Sequence, residues 1–101
     1  MSYLDRFSYK SIPDHMMESM KLYVSDGRPL GGFLEAVFAN DLFKATSKAD
    51  EINIEILPIY VCYIYNELPD GCHGSYEIVD EWIKKHRKAV DVKIEQGDLL
   101  K

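Results

Sequence analysis

Between Pro29 and Ala49 the chain reads PLGGFLEAVFANDLFKATSKA. Leu30, Phe33, Leu34, Val37, Phe38, Leu42, Ala45 and Ala49 recur at steps of three and four. That spacing places them along one stripe of a helix. The Gly31-Gly32 pair interrupts the stripe, and each Gly inside a helix costs about 1 kcal/mol against Ala. The pair therefore marks a helix entrance or a close approach of two backbones, and close helix packing is the favoured role. Asn40 and Asp41 compete with helical hydrogen bonds through their own side chains. They predict a bend after a helix over 30–39, with Asp41 capping a short third helix. A polar spot within one long helix is the other reading.

Upstream, Pro13 suits a first helical turn. Met16, Met17, Met20, Tyr23 and Val24 form the apolar stripe of that helix. Gly27 ends it, since Gly accepts the left-handed conformation beyond a helix terminus. Arg28 and Pro29 leave only a short turn, which predicts that the second helix folds back on the first.

Downstream, residues 50–68 are the longest helical candidate. Ile52, Ile56, Ile59, Tyr60, Tyr63 and Ile64 line one face, and Leu57, Val61 and Tyr65 widen it. This width predicts a central helix buried on much of its circumference. Pro58 predicts a kink near Leu57, or two helices meeting there. A strand at 59–65 is the alternative. Pro69-Asp70-Gly71 is a turn by composition. Ser75 then caps a last helix, whose buried side is Tyr76, Ile78, Val79, Trp82 and Ile83. Its basic end, Lys84 to Lys88, suits the helix dipole.

The two ends read differently. Tyr3, Asp5, Phe7, Tyr9 and Ser11 would share one face of a strand, or belong to a frayed aromatic arm. Val90, Val92 and Ile94 alternate with charged residues, again a strand pattern, with disorder as the plain alternative. The expectation is thus a single all-α domain, a compact bundle of four or five helices. Its core spans 12–88, with 89–101 a tail or short strand and room for a short two-stranded element from the termini.

Composition narrows the function. With 101 residues, 47% hydrophobic and 29% charged, the chain is long enough for one ordinary globular domain. A net charge of −5 argues against non-specific nucleic-acid binding. No run of about 18 apolar residues exists, so no membrane partner is expected. The first ten residues have no apolar signal core. The two cysteines then read as reduced thiols in a cytoplasm.

The chemistry-bearing residues fall into few patterns. Cys62, Cys72, His15, His73 and His86 lack the paired spacing of a structural zinc site, so no metal or other cofactor is expected. Cys72 with His73 or His86 resembles a thiol nucleophile and its base, but a thiol packed under a turn is the simpler reading. Gly31 and Gly32 at a helix start, with Arg28 nearby, could hold an anion. Asn40, Asp41, Asp50, Asn53 and Asn66 sit in apolar surroundings. Once buried they must be hydrogen-bonded and would pin helix ends; alternatively they line a polar pocket. The candidate ligand residues are therefore Arg28, Gly31, Gly32, Asn40 and Asp41, and no residue is assigned a catalytic role.

The strings PLGGFLEAVFANDL, ADEIN at 49–53, YIYNELP at 63–69, and GCHGS at 71–75 with Trp82 resemble a small family of phage, prophage and plasmid proteins. The resemblance covers about residues 12–82. His73 stands where that pattern has an aromatic residue, and the tail after Trp82 is longer. The resemblance brings no catalytic residues. It implies a mobile-element protein in the bacterial cytoplasm that binds, and inhibits, a host protein or defence component. Aromatic residues left uncovered and the Met-rich first helix suggest a homodimer. The competing expectations are a binder that sequesters a nucleotide messenger and a Cys72-dependent enzyme.

Overall fold

A computed structural model describes residues 9–87. Helix α1, Asp14–Asp26, starts at Pro13, whose missing N–H leaves nothing unsatisfied at that position. It ends at Gly27, in the left-handed region at φ 67°, with the Gly27 N–H donating to the Tyr23 carbonyl at 3.0 Å. Met20 and Tyr23 are fully buried, so the methionine stripe serves the core at its centre.

Helix α2, Gly32–Phe38, and helix α3, Leu42–Lys48, are joined by a bend at Asn40. Helices α4, Glu51–Glu55, and α5, Leu57–Glu67, meet at Ile56. Pro58 lies in the first turn of α5, where a missing N–H removes no helical bond. The second form of the Pro58 expectation is therefore the one adopted, and the segment is helix rather than strand. After a 3-10 turn at Asp70–Cys72, helix α6, Tyr76–His86, is capped by the Ser75 hydroxyl, which accepts from the Ile78 N–H at 3.1 Å.

The fold is an all-α compact bundle, with six α-helices and no strand among the described residues. Of the aromatic arm, Tyr9–Ser11 forms a 3-10 turn, and the Tyr9 ring packs edge-on to Tyr63 at 5.1 Å. The remainder of the predicted terminal pairing lies outside the described residues.

Three expectations change. Helix α1 packs chiefly on α6 and meets α2 through the Tyr23–Phe38 ring contact at 5.0 Å. The close backbone approach occurs at Gly27, not at the glycine pair. A Cβ on Gly27 would lie 2.7 Å from the Ile83 carbonyl oxygen and 2.8 Å from the Arg87 nitrogen, both backbone atoms. A Cβ on Gly31 would meet nothing within 4 Å among the described residues, and one on Gly32 only the Lys48 side chain, at 3.8 Å. Finally, Ile52, Val61 and Tyr65, and Tyr76 and Ile78 on the last helix, expected to be buried, are exposed. The break at Ile56 resets the helical phase, and Val61 lies about 200° around α5 from Ile59.

The core is fixed by three polar links, two of them buried and one half-buried. The Tyr23 hydroxyl donates to the Cys72 carbonyl at 2.7 Å. Trp82 Nε1–H donates to the Tyr23 carbonyl at 3.1 Å. The Tyr60 hydroxyl donates to Asn53 Oδ1 at 2.7 Å, joining α4 to α5. Asn53 is thus a buried polar residue with its partner supplied.

These contacts distinguish the glycines. Gly27→Ala is expected to destabilise by at least about 2 kcal/mol, because it adds left-handed strain to a backbone clash. Gly32→Ala is expected to be neutral or to stabilise by up to about 1 kcal/mol. Urea unfolding of the two variants measures both.

Candidate functional site

The Asn40-Asp41 pair ends one helix and starts the next. The Asn40 N–H donates to the Val37 carbonyl at 3.1 Å, and the Asp41 N–H to the Ala36 carbonyl at 2.8 Å. This is the paired-bond termination that requires a left-handed residue, and Asn40 supplies it at φ 63°. Asn tolerates that region better than other residues with a side chain. Asp41 then caps α3, accepting from the Lys44 N–H at 3.1 Å.

Asp41 also accepts from the Tyr76 hydroxyl at 2.6 Å. The Tyr76 bond, and secondarily that of the Lys44 N–H, holds the Asp41 carboxyl below its usual range. The same bond is the main cause pushing the Tyr76 phenol up to about 12. The Lys44 ammonium lies 5.7 Å from the Tyr76 ring centre.

Three hollows meet at Asn40. The first, about 250 Å³, lies against α2 and α5 and is floored by Val37, Phe38, Val61 and Ile64, with Tyr65 and His73 beside them. A smaller one is lined by Leu42, Ala45, Leu57 and Val61. The third lies beside Leu42, Phe43 and Tyr76. Around them stand exposed apolar side chains: Phe43 at 87%, Tyr65 at 74%, Leu42 at 63% and Val61 at 52%. Among the described residues that line the hollows, Asp41 is the only acidic one, and no lysine or arginine joins it. His73 Nε2 is buried and has no hydrogen-bond partner among the described residues.

Of the five candidate ligand residues, the structure brings together Asn40 and Asp41. Arg28, Gly31 and Gly32 line none of these hollows. Gly31 precedes a seven-residue helix and faces open space. The face instead gains Leu42, Val61 and Tyr65, which the apolar stripes included, together with Phe43. The available signal was the excess width of the apolar stripe on residues 57–65, too broad for one buried face.

Cys72 is fully buried under the 3-10 turn. Burial is the main cause pushing its thiol up to about 11, the reverse of what a thiolate nucleophile requires. His86 stacks on Trp82 at 3.8 Å and its Nδ1 lies 3.1 Å from the Trp82 carbonyl oxygen. No group of three or more His, Cys, Asp or Glu converges among the described residues. No family model, no curated protein and no solved structure matches the chain.

The buried thiol and phenols set an alkaline limit. Burial raises Cys72 from 9.0 to about 11, and Tyr60 from 10.0 to about 12, with Asp50 adding to the latter. The protonated forms are favoured by folding, so their contribution is complete below the ordinary values and is lost as pH rises through the raised ones. The urea midpoint is expected to fall steadily from pH 9 to 12. Cys72→Ala should flatten the part between pH 9 and 11.

Proposed function

We propose that this chain is a phage-type accessory protein that binds a host protein or a defence component and inhibits it in the bacterial cytoplasm. The observation that carries the reading is the apolar face around Asn40. Exposed aromatic and aliphatic side chains gathered over hollows, with charge nearly excluded, are the composition of a protein-recognition surface. The resemblance of the sequence to phage and plasmid proteins supplies the origin. No helix among the described residues is long and apolar enough to cross a membrane. The reading assigns no catalytic residue and no cofactor, and it includes self-association through the same face.

The nucleotide-messenger reading has no observation in its favour, since Arg28, Gly31 and Gly32 do not share a hollow with Asn40 and Asp41. The thiol-enzyme reading is opposed by the burial of Cys72.

A tagged chain incubated with bacterial lysate is expected to retain a defined host protein. Tyr65→Asp removes an exposed aromatic anchor and should weaken that capture roughly thirtyfold, the effect of a hot-spot residue worth about 2 kcal/mol. Equal retention by both proteins, with unchanged circular dichroism, would overturn the assignment of this face.

A further inference from the structure

We draw no further inference here: the strongest candidate, the hollow between α2, α5 and the His73–Gly74 turn, carries nothing, because the unpartnered polar atom beside it, His73 Nε2, is shut off from solvent and nothing in the structure shows what would occupy the hollow.

Discussion

Tyr23 is buried to its hydroxyl, and a buried hydroxyl without a partner costs several kcal/mol. The partner is the carbonyl of Cys72, 49 residues away at 2.7 Å. Satisfying that one group fixes the 70–75 turn against α1. The Tyr23 carbonyl in turn takes the Trp82 indole, which fixes α6, and the Tyr23 ring packs against Phe38, which brings in α2. Burial also pushes the Tyr23 phenol well above its ordinary range, so the group stays protonated and keeps donating. Helices too short to persist alone in water are held by this shared centre.

The short strings that look like chemistry are explained by the same demand for satisfied backbone. Asn40 and Asp41 end α2 and cap α3. Asp50 caps α4, accepting from the Asn53 N–H at 2.7 Å, and Asn53 receives Tyr60. In Gly71 to Ser75, the Cys72 carbonyl receives Tyr23, the Gly74 N–H donates to the Phe38 carbonyl at 2.8 Å, and Ser75 caps α6. The caps at Asp41, Asp50 and Ser75 each satisfy a backbone N–H that the helix start leaves without an intrahelical partner.

Those ends were legible in the sequence because capping is local: Gly27, Asp41, Pro58 and Ser75 all mark boundaries within a residue or two. The all-α class followed from the apolar spacing. What periodicity could not convey is which stripe finds a partner inside the chain. Leu42, Val61 and Tyr65 belong to the apolar stripes yet face outward, because the breaks at Asn40 and Ile56 alter the phase between segments. The glycine pair misled for a related reason. Its residue type signals freedom of approach, but the element that approaches closely, the end of α6, lies far along the chain and selects Gly27.

The bend at Asn40 has one more implication. Both residues of the α2–α3 junction are tied down, Asn40 by its backbone bonds and Asp41 by its cap and by Tyr76. The backbone of this junction is therefore fixed by contacts within the chain itself. Under the proposed binding reading, a partner would find the backbone of this junction already in place, leaving the exposed side chains as the part to be ordered on contact.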